Sequence, residues 1–145
     1  MKTDIGIVWF KRDLRLDDHA ALAAAENSGL KLVYLWLIEP EEWAAPEHSL
    51  RHWQFQWQSV QQINLTLAGL GRKIESPYGS AADIFKHLNE VFSVKMVWSY
   101  QESGPPRTFQ RDLQLKNFFE QNQIQWIEFQ RDGIIRGLKN RKNWD

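Results

Sequence analysis

The sequence predicts an α/β fold in which five parallel strands form a Rossmann-like, doubly wound sheet in the order 3-2-1-4-5, with helices on both faces. Two observations predict this fold. Short apolar segments alternate along the chain with helical patterns, as they do in βαβ units. The segments 5–10 and 32–38 are apolar throughout, which is typical of strands that are covered on both faces. The 145-residue chain is long enough to form one domain with a core.

The first strand is predicted over residues 5–10 and leads into a helix over residues 20–27. Asp17 or Asp18 can cap the start of this helix, and Gly29 is placed to end it. The second strand covers residues 32–38, and it ends where Glu39 is followed by a proline.

A long helix is predicted over residues 49–70, because apolar residues recur there at three- and four-residue spacing, including Leu67 and Leu70. Gly69 and Gly71 are expected to stop it. The remaining predicted elements are a short edge strand at 72–75, a helix at 80–92, a strand at 95–100, a helix at 108–122 and a strand at 124–129.

Charged residues follow the first strand at the point where a ligand is expected. In the order 3-2-1-4-5 the first and fourth strands are neighbours, and open α/β sheets bind ligands at the carboxyl ends of such strands. Lys11 and Arg12 can hold a phosphate or an anionic tail there, or they can pair with nearby aspartates. Asp13 is expected to fix the loop through charge-assisted hydrogen bonds, and either Trp9 or Phe10 is placed to border the pocket.

Composition excludes several classes of function. The chain has no cysteine, which rules out disulfides, thiolate zinc sites and cysteine nucleophiles and fits a cytoplasmic protein. No apolar segment reaches the roughly 20 residues of a membrane span, so no membrane partner is expected. The formal charge is +0, and the basic segment 131–145 is expected to be a linker rather than a nucleic-acid-binding tail. His48 and His52 lack a third ligand nearby, so no metal site is predicted.

Two runs of residues resemble one known family. The run W-F-K-R-D-L-R-L-D-D-H-A-A-L at 9–22 resembles the N-terminal signature of the photolyase/cryptochrome family, W-F-[KR]-R-D-L-R-L-x-D-N-x-A-L, with His19 where the family usually has Asn. The run E-S-G-P-P-R-T-F-Q-R-D at 102–112 is similar to a second motif of some subgroups, E-[ST]-G-x-x-x-T-[FY]-x-R-D. The segment 131–145 is similar to cryptochrome-like bacterial members.

The resemblance implies an antenna-binding domain, with a pocket at the carboxyl ends of the first, second and fourth strands. The chromophore would be a folate, a deazaflavin, FMN or a lumazine. No catalytic residue is assigned to this part of the family's proteins. The cofactor-binding candidates are Phe10, Lys11, Arg12, Glu39, Arg51, Glu102, Ser103 and Gly104. Arg51 can equally be an ordinary surface residue. Glu102 can instead pair with Arg12 or Arg107 and order its loop.

The resemblance also implies a larger parent protein. Residues 1–130 would form the α/β domain, and residues 131–145 would begin a linker to a helical domain that binds FAD. The parent would be a deoxyribodipyrimidine photo-lyase, which repairs pyrimidine dimers, or a non-repairing cryptochrome, which signals. Damaged DNA would be contacted only through the parent. This chain alone is expected to be non-catalytic and to be a monomer or a weak dimer.

Two other interpretations remain open at this stage. The same sheet occurs in stand-alone nucleotide-binding modules, although these usually carry a glycine-rich phosphate loop after the fourth strand, where this chain offers only Gly104. Stabilisation by ATP or AMP, and not by flavins or folates, would favour such a module. The domain can also be a structural one whose pocket is empty.

Overall fold

The computed structural model describes residues 2–40, 50–101 and 106–130. Five strands form one parallel sheet in the order β3-β2-β1-β4-β5, which confirms the predicted fold class and strand order. The elements are β1 (Asp4–Phe10), α1 (Ala20–Glu26), β2 (Lys31–Trp36), α2 (Leu50–Ala68), β3 (Ile74–Glu75), α3 (Ala81–Val91), β4 (Ser93–Tyr100), α4 (Pro106–Gln121) and β5 (Gln125–Phe129).

The sheet separates two apolar layers, and β1 contributes to both because successive side chains of a strand point to opposite faces. Val8 and Phe10 pack with residues of α1 and α2 on one face. Ile7 and Trp9 pack with residues of α3 and α4 on the other face. All four side chains are at most 1% exposed. This alternation decides which residues after β1 can share a site.

Two local predictions about the helices are wrong. The cap of α1 is His19, whose ring accepts a hydrogen bond from the N–H of Leu22, and neither Asp17 nor Asp18 takes that position. Asp18 instead has φ 52° and belongs to the turn before the helix. Helix α2 ends at Ala68, and Leu70, which the apolar pattern placed on the inner face, is 68% exposed.

Gly6 leaves room for the indole of Trp98 on the α1/α2 face of the sheet. The register between β1 and β4 shifts between Ile5 and Gly6. A Cβ atom at position 6 would clash with the indole of Trp98, which is 2% exposed and belongs to the core. A residue without a side chain is therefore required here because of space, since a buried ring cannot move aside without disturbing its neighbours.

None of the helices in the described part of the chain is long and apolar enough to cross a membrane.

Candidate functional site

Four charged side chains meet on the α3/α4 side of the sheet, near the carboxyl ends of β1 and β2, and we call Lys11, Glu39, Arg111 and Asp112 the edge cluster. Arg111 donates from Nη1 to Glu39 Oε1 over 2.6 Å and from Nε to Asp112 Oδ1 over 3.0 Å. Lys11 Nζ lies 3.7 Å from Asp112 Oδ2. The cluster therefore joins the ends of two strands to the beginning of α4.

The indole of Trp9 forms the floor of the edge cluster. Lys11 Nζ lies 4.2 Å from the ring centroid, and the guanidinium carbon of Arg111 lies 5.0 Å from it. Trp126 stacks beside Trp9 with ring centroids 6.0 Å apart, and its Nε1 donates to the Ser99 hydroxyl. Both cations are thus held by ring faces as well as by carboxylates.

The charges of the edge cluster balance, since it contains two cations and two carboxylates. The side chains are largely shielded from water, with exposed fractions of 6% for Lys11, 13% for Arg111, 15% for Glu39 and 19% for Asp112. Partly desolvated charges interact more strongly than surface charges. All of these side chains except that of Lys11, whose Nζ is buried, still reach solvent. The cluster can therefore exchange internal contacts for contacts with a polar ligand at the edge.

A second polar group lies on the opposite face of the sheet, and we call Asp13, His19 and Tyr100 the cap cluster. His19 Nε2 hydrogen-bonds the carboxylate of Asp13, and Nδ1 accepts the Leu22 N–H, which places the ring proton on Nε2. Asp13 also accepts the backbone N–H of Lys11, and the Tyr100 hydroxyl accepts the first N–H of α1. The expected structural role of Asp13 in the loop agrees with these contacts.

A third polar group lies near the β3 edge of the sheet. The Tyr34 hydroxyl donates to the carboxylate of Glu26, and Arg72 donates to both residues. Burial raises the pKa of Tyr34 to about 12, and the neighbouring Glu26 adds to that effect while Arg72 opposes it. Glu26 in turn raises the pKa of Arg72.

Comparison with known proteins identifies the family. The family model for DNA photolyase matches residues 6–137. The chain belongs to the DNA photolyase family. The motifs at 9–22 and 102–112 both lie inside the matched region.

Relatives of this photolyase-family chain include both photolyases and cryptochromes. The chain is 28% identical to the deoxyribodipyrimidine photo-lyase of Escherichia coli over 120 residues, which are 77% of this chain and 25% of that protein. It is 39% identical to cryptochrome-1 of Sinapis alba over 97 residues, which are 65% of this chain and 19% of that protein. The chain therefore spans a quarter or less of these two relatives.

A solved photolyase from Sulfolobus tokodaii has the same fold. The TM-score is 0.77 at 21% sequence identity, and the superposition covers 87% of this chain and 29% of that chain. The structure of the archaeal protein holds two FAD molecules, which are taken to imply a novel light-harvesting cofactor in that protein. At this sequence identity the likeness establishes the fold alone.

The structure brings together two of the eight predicted cofactor-binding residues. Lys11 and Glu39 meet through the side chains of Arg111 and Asp112. Phe10 lies on the other face of the sheet, where it is fully buried and its ring centroid is 5.0 Å from that of His19.

The remaining five predicted positions fall into two groups. Arg12 and Arg51 are exposed, Arg12 in the loop after β1 and Arg51 in the first turn of α2. Glu102, Ser103 and Gly104 lie outside the described residues, so their expected ligand contacts stay predictions. Among the described residues, no group of three or more His, Asp or Glu side chains could hold a metal ion.

The sequence-based selection missed three residues of this site. Arg111 and Asp112 are the final R-D of the second family motif. That match indicates the family but does not predict their contacts. Trp126 belongs to β5, and its stacking on Trp9 depends on β4 lying between the two strands. A sequence signal was available for the first two residues, whereas the role of Trp126 requires the sheet order.

Proposed function

We propose that this chain is the antenna-chromophore-binding part of a photolyase or cryptochrome, and that the edge cluster forms one wall of its pocket. The observation that carries the proposal is the link from Lys11 to Glu39 through Asp112 and Arg111, over the Trp9 indole. This arrangement lies at the switch point of the sheet, where ligands of doubly wound folds bind.

The chemistry of the edge cluster fits a flat, polar heterocycle such as a folate, a deazaflavin, FMN or a lumazine. Glu39 supplies carboxylate oxygens that can accept hydrogen bonds from ring N–H groups. Lys11 and Arg111 supply positive charge for carbonyl oxygens or for an anionic tail. Trp9 and Trp126 supply an aromatic wall. When bound, the chromophore supplies absorption of near-ultraviolet or blue light.

In the parent protein, we propose that the excitation passes to FAD held by a helical domain beyond this chain. The flavin would then drive repair of pyrimidine dimers or a signalling response. Family membership supports this proposal, and the relatives named above include proteins of both kinds. The archaeal photolyase of the same fold, for which a light-harvesting cofactor is described, adds support.

The test is an absorption and fluorescence titration of the purified chain with a folate, FMN, a deazaflavin and a lumazine, each measured separately. Saturable binding with a shifted chromophore spectrum is expected for one of them. The variant Glu39→Gln should weaken that binding about tenfold, the equivalent of one lost charged hydrogen bond. The matched control Glu75→Gln, in the edge strand β3, should leave it unchanged.

Three results would overturn the assignment. Binding that Glu39→Gln does not affect would place the ligand away from the edge cluster. Thermal stabilisation by ATP or AMP, with no response to any of the four chromophores, would favour a nucleotide-binding module. The absence of any binding would favour a structural domain with an empty pocket.

A further inference from the structure

The outer face of α2 has an unusual composition for a surface helix. No Asp, Glu, Lys or Arg occurs from His52 to Ala68, although charged residues make up 25% of the chain, and five glutamines occur there instead. Two large apolar side chains are exposed, Phe55 at 69% and Leu65 at 73%. Surface helices normally present charge on the face away from the core. An uncharged face with exposed apolar residues is typical of an interface.

The exposed residues of α2 follow the spacing of a helix-pairing surface, and we call Phe55, Gln58, Gln62 and Leu65 the outer seam. Their spacing of three, four and three residues is that of the a and d positions in a coiled coil. All four side chains are exposed on the solvent side of the helix. The inner face of the helix, which includes Val60, packs on the sheet, so the outer seam faces away from the core.

The outer seam is symmetric along the helix. Phe55 and Leu65 lie five residues on either side of Val60, and Gln58 and Gln62 lie two residues on either side of it. If two copies pair in antiparallel fashion about a two-fold axis at this level, Phe55 of one copy meets Leu65 of the other. Gln58 of each copy then faces Gln62 of the other copy across the axis.

The absence of charge also favours a second copy as the partner. A two-fold axis brings one surface against itself, so a surface with net charge of one sign would repel its own mate. A charged partner would gain no electrostatic attraction from the uncharged outer seam. Paired glutamines instead offer both donors and acceptors to each other.

We propose that the outer seam of α2 is the interface of a homodimer in which the two helices run antiparallel. One helix pair buries less than the roughly 800 Å² per partner that is common in stable complexes. The dimer is therefore weak and forms at high protein concentration.

Sedimentation equilibrium of the full chain tests the association. Over concentrations from about 1 μM to about 1 mM, which bracket weak affinities, the apparent mass should rise from 17.2 kDa toward twice that value. The variants Phe55→Glu and Leu65→Glu should each remain monomeric throughout. The control Val91→Glu, at an exposed apolar position on the other side of the sheet, should associate like the parent chain. A monomer at every concentration, or a dimer that survives Phe55→Glu, would overturn the proposal.

A charge-pair experiment tests the proposed facing residues. The double variant Gln58→Glu with Gln62→Glu places like charges against each other twice and should abolish association. The double variant Gln58→Lys with Gln62→Glu places opposite charges there and should restore it. Circular dichroism of both variants checks that the fold is retained. Equal association of the two double variants would contradict the antiparallel register.

Spin labels test the direction of pairing. Because the chain has no cysteine, a single cysteine introduced at Gln54 or at Thr66 gives one label per copy. These positions lie six residues on either side of Val60, so antiparallel pairing predicts about 20 Å between labels for both variants. Parallel pairing would give about 10 Å, the distance between helix axes, and would overturn the proposal.

Discussion

The edge cluster and the cap cluster lie near the same end of the sheet, but they are built differently. In the cap cluster, Asp13 binds His19 only six residues away, both are less than 10% exposed, and Tyr100 joins them from β4. The edge cluster joins Glu39 to Arg111, 72 residues apart, and all of its side chains except that of Lys11 reach solvent. This difference indicates that the cap cluster maintains the loop after β1 and that the edge cluster is available to a ligand.

We expect substitutions in the cap cluster to lower stability and substitutions in the edge cluster to alter binding. The cap cluster satisfies a buried ring and backbone N–H groups, which leaves little capacity for a new partner. In the edge cluster, each charge has a partner that a ligand atom can replace. The following experiments test this contrast.

The largest effect is expected for Asp13→Ala. This substitution leaves the Nε2–H of His19 and the backbone N–H of Lys11 without their carboxylate acceptor. The free energy of unfolding should fall by about 3 kcal/mol, within the range for buried groups that lose a charged partner. Urea denaturation at pH 7 measures the loss. A loss below about 0.5 kcal/mol, no more than a surface substitution costs, would show that the carboxylate does not maintain the loop.

The capping function of His19 can be separated from its contact with Asp13. His19→Asn keeps a side-chain oxygen that can accept the Leu22 N–H, whereas His19→Ala removes the cap entirely. The Asn variant should therefore be more stable than the Ala variant by about 1 kcal/mol, the usual value of an N-cap. Equal free energies of unfolding for the two variants would contradict a capping role.

A double-mutant cycle on Glu39→Ala and Arg111→Ala measures the strength of the edge cluster. The coupling energy should be about 1–2 kcal/mol, because the pair is partly desolvated and hydrogen-bonded at short range. Urea denaturation of the two single variants and the double variant yields this value. A matched cycle on the exposed pair Lys73 and Glu75 should give less than about 0.5 kcal/mol. Equal couplings would remove the distinction between the edge cluster and an ordinary surface pair.

Tyr34 provides a reference away from the carboxyl edge. Its folded-state pKa of about 12 lies above the ordinary value of 10.0, so the folded state keeps the proton more tightly. The resulting stabilisation is present below pH 10 and is lost as the pH rises toward 12. Absorbance at about 295 nm, where tyrosinate absorbs, should show one tyrosine ionising late, and Tyr34→Phe should remove that step. The absence of a late-ionising tyrosine would contradict the burial of Tyr34 and its contact with Glu26.

The smallest change in stability is expected for Lys11→Met. Methionine keeps the apolar stem over Trp9, and Asp112 retains its hydrogen bond from Arg111. The free energy of unfolding should change by less than about 1 kcal/mol, while chromophore affinity should fall about tenfold. The same titration and denaturation experiments measure both quantities. A large loss of stability with unchanged affinity would reverse the proposed contrast.

The fold could be predicted from sequence because it depends on local patterns. Continuous apolar runs identify central strands, and right-handed crossovers leave few strand orders. The edge cluster could not be derived in the same way, since the contact of Glu39 with Arg111 exists only after β1, β2 and α4 have assembled. Strand alternation did contain one unused signal. Phe10 and Lys11 are consecutive, so they cannot both face the same side of the sheet.

The packing of the Trp98 indole over Gly6 has a consequence for sequence variation. Because the Trp98 indole occupies the space that a Cβ atom would need, positions 6 and 98 are not free to change independently. Relatives that carry a side chain at the first position should carry a smaller residue at the second. Such pairwise covariation would mark the β1–β4 contact in an alignment, even where the strand sequences themselves have diverged.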